Sequence, residues 1–142
     1  MMYTVNKSLA YILSITRYLR RDDHQATLLA ILIELGFPVY TDGFQYLMAA
    51  ILIKQEHPGM RMTILYDEII CRNEEYMELY QIEQSIRRTI QKAWNRRNHK
   101  IWLYFFSEDE LNKCPSNKVF ISQMACVAKL LGSCEEVSYE RE

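Results

Sequence analysis

The stretch MELYQIEQSIRRTIQKAWNRR, residues 77–97, decides the fold. At about 100° per residue, Leu79, Ile82, Ile86, Ile90, Ala93 and Trp94 fall on one narrow stripe. Opposite them fall Gln81, Gln84, Arg88, Gln91, Lys92 and Asn95, with Arg87 on the flank and Arg96 and Arg97 at the C-terminal end. The pattern is that of a long helix with one wall in a core and the other in solvent. Gln, Arg and Lys are common on any solvated face, so periodicity establishes exposure and not use. Their chemistry goes further. Arginine bonds guanine bidentately, glutamine and asparagine bond adenine, and lysine and arginine neutralise phosphates. On that chemistry Gln81, Gln84, Arg87 and Arg88 are expected to read base edges, and Lys92, Asn95, Arg96 and Arg97 to hold phosphates.

Working outward, a short helix over 62–71 precedes this one, carrying Met62, Leu65, Ile69 and Ile70, and the polar stretch 72–75 reads as a turn. A short helix, a turn and a longer basic helix form the arrangement in which the second helix lies in the major groove. Upstream, Phe44, Leu47, Met48, Ile51 and Leu52 fit a helical stripe that begins after Thr41, Asp42 and Gly43 and ends at His57, Pro58 and Gly59. Before it, a helix over 23–35 bears Leu28, Leu29, Ile31, Leu32 and Leu35. So much of its surface is apolar that it is expected to be the central, buried helix, ending at Gly36. Val5, Leu9, Ile12, Leu13, Thr16 and Leu19 give an amphipathic first helix. Downstream, the aromatic segment 101–106 is ambiguous between helix and strand by pattern alone, and its surroundings favour helix. A last helix starts at Pro115, Ser116 and Asn117, shows Phe120, Met124, Val127, Ala128 and Leu131, and is expected to stop at Gly132 before a frayed acidic tail.

The fold expected is therefore all-α, a compact domain of about six or seven helices containing a helix-turn-helix. Residues 1–22 form an extra amphipathic helix, 23–132 the main domain and 133–142 the tail. A chain of 142 residues buries about two-thirds of its unfolded surface, enough for one core. The net charge of -1 conceals an asymmetry: 67–80 is acidic, whereas 81–100 carries Arg87, Arg88, Lys92, Arg96, Arg97 and Lys100 against Glu83 alone. The four cysteines, Cys71, Cys114, Cys126 and Cys134, have no paired spacing and no secretory leader ahead of them. They read as free, buried thiols in a reducing cytoplasm, Cys126 above all. The most apolar run, 26–35, falls short of the roughly 20 residues that span a bilayer, so no membrane is implied.

Three blocks, in order, resemble the C-terminal DNA-binding effector domain of the stage zero sporulation protein A family. LGFPVYTDGFQYLMAAI, 35–51, keeps the spacing of Gly36, Pro38, Gly43, Tyr46, Leu47, Ala50 and Ile51; IEQSIRRTIQKAWNR, 82–96, ends in the Ala93-Trp94 pair; PSNKVFI, 115–121, matches the opening of the last helix. The resemblance implies a transcription regulator in sporulation, with 77–97 as recognition helix. Where the family has arginines, this chain has Gln81 and Gln84, and Arg88 replaces a histidine. Full-length members add a phosphate-accepting receiver, for which these residues leave no room, so no phosphorylation site is carried over to Asp22 or Asp23.

The partners implied are double-stranded DNA, a second copy in a homodimer, and RNA polymerase or a sporulation regulator. No cofactor and no metal are expected. His24, His57 and His99 are isolated, Asp67 and Glu68 point in different directions, and no nucleophile elbow or phosphate loop occurs, so the chain does not read as an enzyme. The competing class is an interaction-only module of the same fold that pairs with or antagonises a full-length sporulation regulator without DNA. The first helix is too apolar to stay in water and must cover its own domain or a second copy. Deleting residues 1–20 is expected to lower the melting temperature in the first case or the solution mass in the second; a deletion that changes neither refutes both.

Overall fold

The computed structural model describes residues 24–141 and is helical, with no strand among them. Six helices follow one another: α1 His24–Glu34, α2 Asp42–Glu56, α3 Met62–Arg72, α4 Leu79–Asn95, α5 His99–Trp102 and α6 Asn117–Arg141. The amphipathic helix expected over 5–19 lies outside the described residues. Helix α2 packs on α3, α4 and α6, and α1 packs on α6. The centre is therefore α2, and the expectation that α1 holds that place is corrected. On α1 and the residue after it the buried apolar side chains are Leu28, Ile31, Leu32 and Leu35, a single i, i+3, i+4, i+7 stripe with buried Thr27 beside it, while Leu29 and Ile33 fall off it and are exposed. On α2, Ala50 and Ile53 are buried along with Phe44, Leu47 and Ile51, because three helices surround it.

Both ends of the 35–44 segment are set by glycine. Gly36 has φ +98°, and its N–H bonds Ile33 O at 3.0 Å while the Phe37 N–H reaches back to Leu32 O at 3.1 Å, so α1 ends in a Schellman turn. That turn aims Phe37 into a buried aromatic group with Phe44, Trp102 and Phe120. Thr41 then caps α2, its Oγ1 accepting from Phe44 N at 3.2 Å. Gly43 is required for another reason: a Cβ there would lie 2.8 Å from Ser85 O on α4 and closer still to Thr89 Oγ1. The first turn of α2 thus lies directly against the middle of α4.

The aromatic segment departs from the helix expected over 101–106. One turn, α5, is helical, and turns follow it, because Trp102, Phe105 and Phe106 are all drawn inward. Trp102 is fully buried and its Nε1–H donates to Leu35 O at 3.0 Å, satisfying a carbonyl at the end of α1 from across the chain. Helix α6 does not stop at Gly132 but runs on to Arg141, so residues expected to form a frayed tail continue its backbone. The cysteines are also corrected. Cys71 and Cys126 are exposed and Cys114 is half-buried, all three free. Cys126 faces outward because α6 buries Phe120, Ile121, Met124, Ala125 and Ala128, and Cys126 lies off that stripe.

Helices α3 and α4 with residues 73–78 between them make the helix-turn-helix. Buried Asn117, the first residue of α6, holds the pair together. Its Nδ2 donates to the Tyr66 hydroxyl on α3 at 3.2 Å and to Glu83 O on α4 at 3.0 Å. Burial pushes the Tyr66 phenol above the ordinary 10.0; the Asn117 amide pulls it down, and the Glu83 charge pushes it up. Asn117→Ala leaves both partners without their donor, and is expected to cost about 1–3 kcal/mol and to lower the melting temperature by roughly 3–10 °C. An unchanged melting temperature refutes the clamp. Between the unfolded and the higher folded value of Tyr66, only the unfolded chain has lost the phenol proton, so stability falls as pH rises there. Tyr66→Phe is expected to flatten that alkaline decline, read by denaturant unfolding from pH 9 upward.

Candidate nucleic-acid interface

Helix α4 begins two residues later than the sequence suggests, because Met77 is held in the turn. Its thioether sulfur accepts from the Tyr46 hydroxyl at 3.2 Å and from Asn73 Nδ2 at 3.1 Å, which pins the turn to α2. The Glu78 N–H then donates to Gln81 Oε1 at 2.8 Å, closing the first turn of the helix. Ile82, Ile86, Ile90 and Ala93 are buried, as their stripe requires, with Leu79 and Trp94 half-buried beside them. Thr89 is also buried, its hydroxyl bonded to Ser85 O at 3.0 Å and facing Gly43. The isoleucine stripe and the Asn117 clamp thereby fix the rotation of α4 about its axis, and the opposite face is turned to solvent.

On that face Gln81, Gln84, Arg87, Arg88, Lys92, Asn95 and Arg96 are all exposed. Gln84, Arg88 and Asn95 sit within about 40° of its midline, Arg87 on one flank and Lys92 on the other. Two of the eight expected residues are engaged elsewhere. Gln81 gives its Oε1 to the cap. The guanidinium of Arg97 lies 3.4 Å over the Trp94 ring, with Nη1 donating to Trp94 O at 2.8 Å and Nε donating to His99 Nδ1 at 3.1 Å. Trp94 in turn meets Trp102 edge-on at 5.6 Å. One face of the indole is thus covered by Arg97, and Trp94 is a packing residue rather than a platform for a base.

Two groups flank the face. On the side of Arg87 and Arg97 lies the Cys114 thiol, which burial pushes up in pKa although both arginines pull it down, so it stays protonated. At the N-terminal end, Asp42, Glu74 and Glu75 line a shallow groove with Tyr46, Asn73 and Gln81. The face is therefore basic along its length and acidic at its entrance. Among the described residues no three His, Cys, Asp or Glu side chains gather to hold a metal, and no helix is long and apolar enough to cross a membrane.

Three residues that matter here escaped the sequence reading. Asn117 stood in a recognised block, but its role needs α3 and α4 side by side, which no local pattern gives. Gly43 read as a turn residue, although its first turn of helix is where α2 meets α4. Tyr80, exposed at 63%, sits four residues before Gln84 on the outward face, and that spacing was a visible signal.

A family model described as the C-terminal part of the sporulation initiation factor Spo0A matches residues 28–128, which includes every buried core residue of α1 to α6 named above. The matched segment takes in Gly36, Gly43, the helix-turn-helix and Asn117, the positions on which the geometry depends. With most of its length matched and its helices packed in one core, the chain belongs to the family of the sporulation initiation factor Spo0A C-terminal domain.

Proposed function

We propose that this chain is a DNA-binding transcription regulator acting in sporulation from the cytoplasm, and not an enzyme, with α4 inserted in the major groove of duplex DNA. The observation that carries the reading is the outward face of α4. It is basic, rich in amide side chains, and held opposite a fully buried isoleucine stripe by the neighbouring α3 and α6. Gln84 and Arg88 are the principal base readers, with Arg87 beside them and Gln81 contributing its free Nε2; Lys92, Asn95 and Arg96 grip phosphates. Arg97 contributes its charge from its seat on Trp94. Regulators that bind repeated half-sites gain affinity by dimerising, so a homodimer is part of this reading, and a contact with RNA polymerase or a sporulation regulator would couple binding to transcription.

A second reading is favoured by the acidic groove of Asp42, Glu74 and Glu75 next to Gln81, which repels phosphate at the helix entrance. In that reading the domain engages another protein and no DNA. Titrating salt against binding to a random duplex separates the two, because only phosphate contacts give a steep loss of affinity, with a slope of roughly 0.9 per neutralised phosphate. Lys92→Ala is expected to weaken all sequences alike and to reduce that slope by about one contact. Arg88→Ala is expected to cost about 1–3 kcal/mol on a selected site and to relax preference at one base pair. Equal losses for Arg88→Ala on selected and random duplexes refute its reading role, and a flat salt dependence of the unaltered chain refutes DNA binding.

A further inference from the structure

We propose that the Tyr80 hydroxyl donates a hydrogen bond to a DNA phosphate on the groove wall opposite the one gripped by Lys92 and Arg96, an inference that rests on the DNA-binding reading above. Measured from Gln84 at about 100° per residue, Arg88 and Lys92 lie roughly 40° and 80° to one side, with Arg96 beyond them. Tyr80 and Arg87 lie roughly 40° and 60° to the other. A helix seated in a major groove about 12 Å wide has a phosphate wall on each side. One wall is served by Lys92 and Arg96, one turn apart. Toward the other, α4 turns no arginine or lysine except Arg87, whose proposed role is at the base edges, and Arg97 is stacked on Trp94 at the far end.

Tyr80 fills the vacant end of that second wall. It stands in the first turn of α4, where a recognition helix approaches DNA most closely, and about 10 Å along the axis before Arg87. Its ring is largely exposed, and its hydroxyl has no hydrogen-bond partner among the described residues. The nearby Tyr76, by contrast, is more exposed but already donates to Glu78 Oε1 at 3.0 Å. A phenol is a neutral donor of the kind that positions a protein on the phosphate backbone, and unlike lysine it displaces no counterion.

The contact has a signature that a lysine contact lacks. With the full chain, Tyr80→Phe is expected to weaken binding about tenfold on selected and random duplexes alike, leaving the salt slope and the melting temperature unchanged. Two results overturn the proposal while leaving DNA binding intact. In the first, Tyr80→Phe binds like the unaltered chain, which itself shows a steep salt slope. In the second, Tyr80→Phe is normal but Tyr80→Ala loses preference at one base pair, which assigns the ring to base contact. An unaltered chain with no salt-dependent duplex binding overturns the DNA reading and this inference with it.

Discussion

Two hydrogen bonds from one buried amide set the geometry on which this domain depends. Asn117 Nδ2 joins the Tyr66 hydroxyl of α3 to Glu83 O of α4, so the first residue of α6 fixes the two arms of the helix-turn-helix relative to each other. A buried amide of this kind is costly without its partners and specific with them, because both acceptors must lie where the donor can reach. The apolar stripe of α4 alone would permit the helix to slide along or rotate on α2. The amide at α6 and the seam where Gly43 meets Ser85 and Thr89 exclude those alternatives. Registration of α4 is thus over-determined, and its solvent face inherits that precision.

The same logic explains how a small domain commits a whole helix face to solvent. Helix α4 buries Ile82, Ile86, Ile90 and Ala93, each about a turn from the next, and spends no polar group on the core except Thr89. The aromatic group of Phe37, Phe44, Trp102, Phe106 and Phe120 supplies the three largest fully buried side chains, Trp102, Phe44 and Phe120, and meets α4 through the edge contact of Trp102 with Trp94. Trp102 also satisfies the Leu35 carbonyl, so the end of α1 needs no water there. On α4 the buried stripe serves stability, and the exposed positions 84, 87 and 88 are left for the base reading proposed above.

Much of this was legible in the amino-acid sequence, for reasons that differ by element. Helices α2 and α4 were recognisable because their stripes are periodic over fifteen or more residues. Gly36 announced the end of α1 because a positive φ there leaves few alternatives. The rank of α1 was misjudged because count of apolar residues is not angle: Leu29 and Ile33 add hydrophobicity without adding to the buried stripe. Gly132 did not end α6, since a lone glycine weakens a helix by about 1 kcal/mol without stopping it. The stack of Arg97 on Trp94, the cap formed by Gln81 and the outward Cys126 all depend on which way a side chain turns once its neighbours are in place. The outward face of α4 was drawn correctly; the uses its members already had within the domain were not.

The central claim is that the clamp presents the outward face of α4 to duplex DNA. Backbone amide shifts of the full chain, recorded by NMR as a random-sequence duplex is added at low salt, test this most directly. The account predicts perturbations concentrated from the turn at 73–78 through Asn95 and reversed by added salt, with α1 and the outer surface of α6 unaffected. Perturbations centred on α1 or α6, or none at any salt concentration, would contradict it.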